Sequence, residues 1–163
     1  MWNLAHLHIA INHTPVILVP AALVIIAVGV WRRSETVLRT GVVVAWVAAA
    51  SAVATYLTGD PAVDLVMAAE KAQQKTLVPI VSEHDDSARW ALGGSLLVAG
   101  AGVWAWRRKG LGWEVTLPLL VLSALATASL GRTALLGGRI RHPEARASFV
   151  TPATQEEEQE QEN

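Results

Sequence analysis

Hydrophobic and polar positions fall in long blocks along this chain. Apolar runs cover Val16 to Trp31, Val37 to Leu57, Trp90 to Trp106 and Val115 to Leu136, each bounded by short charged segments. A hydrocarbon core of about 30 Å takes roughly 17–25 helical residues, and the four runs match or nearly match that length. Lipid offers no water to a free backbone group, so each run is expected to be a helix. A soluble four-helix core would instead show polar stripes at a period of about 3.6 residues. The run VVVAWVAAASAVATYL shows none. The pattern predicts an all-α fold: an integral membrane four-helix bundle with both termini on the same side. The spans fall at 13–31, 37–58, 86–106 and 114–136, within a bundle of residues 1–146.

Breakers refine this. Gly59-Asp60-Pro61 reads as a stop for the second helix, because glycine suits a left-handed cap and proline cannot continue the ladder. Residues 59–85 then form a loop with a short surface helix in Ala62 to Lys75, which Pro79 ends. Ser82-Glu83-His84-Asp85 fits a capping box, so the third helix is expected to begin near Glu83. Gly137-Gly138 is a stop for the fourth. Residues 147–163 finish TQEEEQEQEN, an acidic, low-complexity tail expected to be disordered. The start, MWNLAHLHIAINHTPV, has no positive region before its apolar run, so the first span is expected to be retained.

Composition agrees. Apolar residues make up 52 % of the 163 and charged residues 17 %, below the roughly 25 % charged content of soluble domains. Trp31, Trp104, Trp106 and Trp113 gather at one set of helix ends, and Trp2, Tyr56 and Trp90 at the other. Such belts form because these rings are apolar with a polar edge. Trp46, mid-span, reads as core packing. The short basic connections, with Arg32, Arg33 and Arg39 in one and Arg107, Arg108 and Lys109 in the other, are expected in the cytoplasm, which places both termini outside. The absence of cysteine removes disulfides, Fe–S clusters, thiolate zinc and covalently attached haem. A net charge of −1 and the lack of a basic recognition motif give no reason to expect a nucleic-acid partner; the lipid bilayer is the first one.

The candidate chemistry sits at one end. All five histidines, His6, His8, His13, His84 and His142, lie on the side of the termini. Asp60, Asp85, Asp86, Arg132 and Arg139 join them. Neutral imidazole is a common ligand for transition metals and for haem iron, and helix bundles build such sites from facing helices. His6 and His13 share a face if the first helix extends back to Asn3, with His8 on the opposite one. Pro15 favours a kink or a helix start there. The bland reading of these histidines and arginines is hydrogen bonding to headgroups and helix ends. Arg132 snorkels on that reading; on the functional one it is an anion partner.

The arrangement His8-x4-His13-x-Pro15, with LTGDPA after the second span and LLGGRIRHPE after the fourth, resembles the predicted membrane proteins of the uncharacterised domain family numbered 2231. The resemblance covers Leu7 to Glu144. It implies small four-helix proteins of the bacterial inner membrane, encoded near respiratory genes, that bind b-type haem. One departure is a shorter spacing from the glycine pair to His142, which counts against His142 as an equivalent ligand.

The leading expectation is a cytochrome b-like electron-transfer protein, with quinone or a respiratory complex as redox partner. It would hold haem b through His13 and His84, His8 and His142 serving a second haem, and Arg132 or Arg139 holding propionates. The same histidines with Asp85 or Asp60 also suit a transition metal ion such as copper, zinc or iron. A structural or assembly subunit of a larger complex, with no cofactor, is the third reading. A hydrolase lacks support, since neither Gly-x-Ser-x-Gly nor His-Glu-x-x-His occurs.

Overall fold

A computed structural model of the chain describes residues 3–108 and 111–146; the acidic tail expected over 147–163 lies outside the described residues. These are helical throughout: α1 (Leu4–Ile11), α2 (His13–Trp31), α3 (Glu35–Leu57), α4 (Gly59–Ala69), α5 (Gln74–Arg107) and α6 (Trp113–Arg141), with single 3-10 turns at Lys71–Gln73 and Pro143–Ala145. Three helical stretches, Leu4–Trp31, Glu35–Leu57 and Trp113–Arg141, are long and apolar enough to cross a membrane. The helix α5 is long as well, but Gly93, Gly94, Gly100 and Gly102 dilute its leucines and valines.

The main packing runs in a ring. α2 lies against α3 and α6, and α5 lies against α3 and α6. The inside of the ring mixes small residues, among them Ala22, Ala45, Ala48, Ala91, Ser95, Ser123 and Ala126, with larger ones such as Ile26, Val42 and Leu119, all buried. Large apolar side chains such as Ile17, Val24, Leu97 and Leu125 point outward and are 60–63 % exposed. Large apolar residues on the outside, with many small ones at the helix contacts, are expected where the surroundings are as apolar as leucine and helices associate by close contact. Gly41 shows how close: a Cβ there would lie 2.6 Å from Ile26 Cγ1 and 2.9 Å from its backbone nitrogen. Buried hydroxyls bond to their own helix, Ser95 to the Ala91 carbonyl at 2.8 Å and Ser123 to that of Leu119 at 2.7 Å, so they cost little inside the ring.

The turn between α2 and α3 is a Schellman motif. Ser34 N–H reaches the Gly29 carbonyl at 2.9 Å and Arg33 N–H that of Val30 at 3.1 Å. Arg33 holds the left-handed position at φ 50°, where glycine is usual. Ser34 then caps α3, its hydroxyl accepting from Val37 N–H.

Several local expectations change. Pro79 does not end a helix; it lies inside α5, which begins at Gln74 rather than near Glu83, so Ser82 to Asp85 are helix interior and not a cap. Leu77 is fully buried and anchors this first part of α5, while Lys75 and Pro79 are exposed, so the carbonyl that Pro79 leaves without a donor faces outward. Gly137-Gly138 does not stop α6, which runs on to Arg141. Arg146 explains the extension: its guanidinium donates to the carbonyls of Arg139 at 2.8 Å and Ile140 at 3.0 Å, satisfying the free end of the helix. The surface helix is α4 and starts earlier than Ala62, directly after Thr58, with Pro61 in its first turn.

Candidate functional site

The first helix breaks at Asn12, between α1 and α2. Pro15 has no N–H to give to the Ile11 carbonyl. The Thr55 hydroxyl supplies the missing donor from α3, at 3.4 Å. This fixes α1 beside the end of α3, where His8 meets Thr55 from the other side. His8 Nδ1 lies 2.9 Å from the Thr55 carbonyl and 3.3 Å from Thr58 Oγ1.

His84 repeats that contact on the other pair of helices. Its Nδ1 lies 3.0 Å from the Thr133 carbonyl of α6. Its ring rests on Gly137, where a Cβ would stand 3.2 Å from His84 Cε1. Glycine eases this close approach, which a Cβ would make tight, and the sequence signal read as a helix stop has this second meaning. Ser87, one turn on, bonds Thr133 Oγ1 at 2.8 Å and locks α5 to α6 beneath the ring.

A carbonyl can only accept, so Nδ1 of both rings carries the proton and Nε2 keeps its lone pair. Burial pushes the His84 imidazole below its ordinary value; the bond to Thr133 opposes this, and the charge of nearby His8 adds to the lowering. His84 is therefore a neutral base at neutral pH. Both rings are half-buried. Asn12, one helical turn past His8, holds its amide oxygen buried with no hydrogen-bond partner among the described residues.

The other expected site residues are placed differently. His13 is exposed at the start of α2, and no hydrogen bond or ion pair holds it among the described residues. The imidazole whose charge reaches His84 is that of His8, and not the expected partner His13. His142 is exposed beyond the end of α6 and pairs with Glu144 at 3.0 Å. Arg132 is exposed on α6. Arg139 borders a groove of about 330 Å³ with Glu83, Pro79, Ile80 and Leu136. Asp85 and Asp86 are both paired with Arg89, which also reaches Tyr56 Oη at 3.4 Å. Among the described residues no three His, Asp or Glu side chains come together in a way that would hold a bare metal ion. The residues that reading by residue type missed are Thr55, Thr133, Gly59 and Gly137. They carry no chemistry of their own and act through the histidines.

What this arrangement can do is present two oriented Nε2 lone pairs from two different pairs of helices. In comparisons with protein-family models, with curated proteins and with solved structures, the chain finds no match.

Proposed function

We propose that the chain is a four-span membrane electron-transfer protein that holds haem b between His8 and His84, with both termini and this site on the extracytoplasmic face of a bacterial inner membrane. The observation that carries the reading is the shared contact of the two histidines: each Nδ1 bonds a helix carbonyl, and among the described residues no hydrogen bond takes up either Nε2. This is how ligating imidazoles are generally oriented, because the hydrogen bond fixes the tautomer and strengthens the ligand.

The donor set fits haem better than a bare ion. A porphyrin supplies four ligands to its iron, so two imidazoles complete the sphere. Zinc or copper needs about three or four protein ligands, and among the described residues only His8 and His84 hold Nδ1 on a carbonyl of a neighbouring helix. Bound haem supplies one-electron chemistry. The chain supplies His8 and His84 to hold it, the Thr55 and Thr133 carbonyls to orient them, and Arg132 and Arg139 on α6 as cations for propionates. The fourth span is the α5 segment from Asp86, and the basic turns at Arg32, Arg33, Arg107 and Arg108 face the cytoplasm. Quinone or a respiratory subunit is the class of redox partner that this face would meet.

The test is a reduced-minus-oxidised spectrum of the protein purified in mild detergent. A sharp b-type band is expected, lost in His8→Ala and His84→Ala. Stoichiometric metal without haem would replace the reading by a metal-handling one, and neither cofactor by a structural subunit.

A further inference from the structure

The ends of α3 and α6 read alike. Ser51-x3-Thr55-x-Leu57-x-Gly59 and Ser129-x3-Thr133-x-Leu135-x-Gly137 follow one pattern, and the match continues backward in the same register. Ser34 and Gly112, the N-caps of the two helices, correspond. So do the buried pairs Leu38 and Thr116, Ala48 and Ala126, and Ala52 and Leu130. Leu57 and Leu135 are both 70 % exposed. The preceding helices share an ending too, Gly29-Val30-Trp31-Arg32-Arg33 in α2 and Gly102-Val103-Trp104 followed by Arg107-Arg108 in α5.

The packing has the same symmetry. The two most extensive pairings are α2 with α3 and α5 with α6, followed by α3 with α5 and α2 with α6. Exchanging α2 with α5 and α3 with α6 leaves this ring unchanged. Helical periodicity alone gives any two packed helices similar buried stripes. It does not give equivalent caps and a four-residue motif in one register, nor a histidine from the neighbouring helix on the equivalent carbonyl of each.

We infer that the chain is an internal duplication of one helical hairpin, and that each copy carries the same imidazole clamp: a histidine Nδ1 on the carbonyl of the motif threonine, with the ring against the motif glycine. One clamp is His8 with Thr55 and Gly59; the other is His84 with Thr133 and Gly137. Two like clamps, one from each hairpin, would suit a ligand that takes one imidazole from each, as a metal chelate such as haem would. That ligand class rests on the haem reading; the duplication and the clamps do not. The threonines and glycines are positioning residues. The copies have diverged in two respects. Thr58 gives His8 a second acceptor where the other copy has Leu136. Gly59 also leaves more room, a Cβ there standing 3.8 Å from His8 Cε1.

The test is nitrogen-15 NMR of histidine-labelled full-length protein in detergent, kept reduced so that any haem iron present is diamagnetic. In both His8 and His84 the Nδ1 nitrogen is expected to carry a proton. Gly137→Ala should shift the His84 nitrogens and leave those of His8 in place, and Gly59→Val should do the reverse. If the glycine variants do not fold, the isosteric Thr58→Val, which removes the second acceptor and the hydroxyl's own bonds to the Ala54 and Thr55 carbonyls, should shift His8 alone. An Nε2-protonated tautomer at either ring, or variants that leave their own ring unmoved, would overturn the clamps. Clamps present without a haem band would leave this inference standing and remove the haem reading; a haem band with His8 unclamped would do the opposite.

Discussion

At His84, burial and the Thr133 carbonyl pull in opposite directions on one imidazole, and burial wins. The folded, cofactor-free chain therefore takes up this proton less readily than the unfolded chain does. Its contribution to stability is present above the ordinary imidazole value of 6.5 and is lost as the pH falls through it toward the lower folded value. Thermal unfolding of cofactor-free protein between neutral and mildly acid pH should show this decline, and His84→Gln should flatten it. His13 and His142 make the contrasting case. Both are exposed, and among the described residues His142 is paired with exposed Glu144. His13→Ala and His142→Ala should each keep the reduced-minus-oxidised band at wild-type intensity, where His8→Ala loses it. Loss of the band in His13→Ala would restore the pairing of His13 with His84.

The helices depend on contacts that tolerate little added volume. Gly41→Val would drive a branched side chain into Ile26 across the α2–α3 contact, where even a Cβ is too close. Overpacking of this kind costs about 1–3 kcal/mol, so the unfolding midpoint in detergent should fall. A midpoint at the wild-type value would mean that α2 and α3 are not packed this closely. Arg33 offers the opposite change. It sits at φ 50° in the α2–α3 turn, a conformation that costs a residue with a Cβ about 1–2 kcal/mol. Arg33→Gly should raise the same midpoint, and a fall would show that the arginine side chain contributes more than its backbone costs.

For the molecule as a whole, the prediction is its sidedness. The chain has no cysteine, so single introduced cysteines report cleanly. Lys71→Cys, in the segment between α4 and α5, should react with an impermeant thiol reagent on intact cells. Arg108→Cys, after α5, should react only once the membrane is opened. The reverse pattern would place the histidine end in the cytoplasm. The sequence by itself determined that the chain is helical and that several helices are long and apolar enough to cross a membrane, because a long apolar run has few ways to satisfy its backbone in lipid, and the runs around Val24, Val47 and Leu125 carry that signal residue by residue. It also placed the histidines at one end, since each flanks an apolar run. Local breakers misled at Pro79 and Gly137, where the burial of Leu77 and the packing of the His84 ring outweigh a local preference that is worth little. Only the tertiary structure chose among the histidines. His8 and His13 are equally plausible ligands by type and differ only in which helix they face. Thr55 and Thr133 act through backbone carbonyls, which every residue has, so nothing in their residue type marks them. That choice became visible when α1 met α3 and α5 met α6, because a hydrogen bond between residues so far apart in the chain is decided by packing alone.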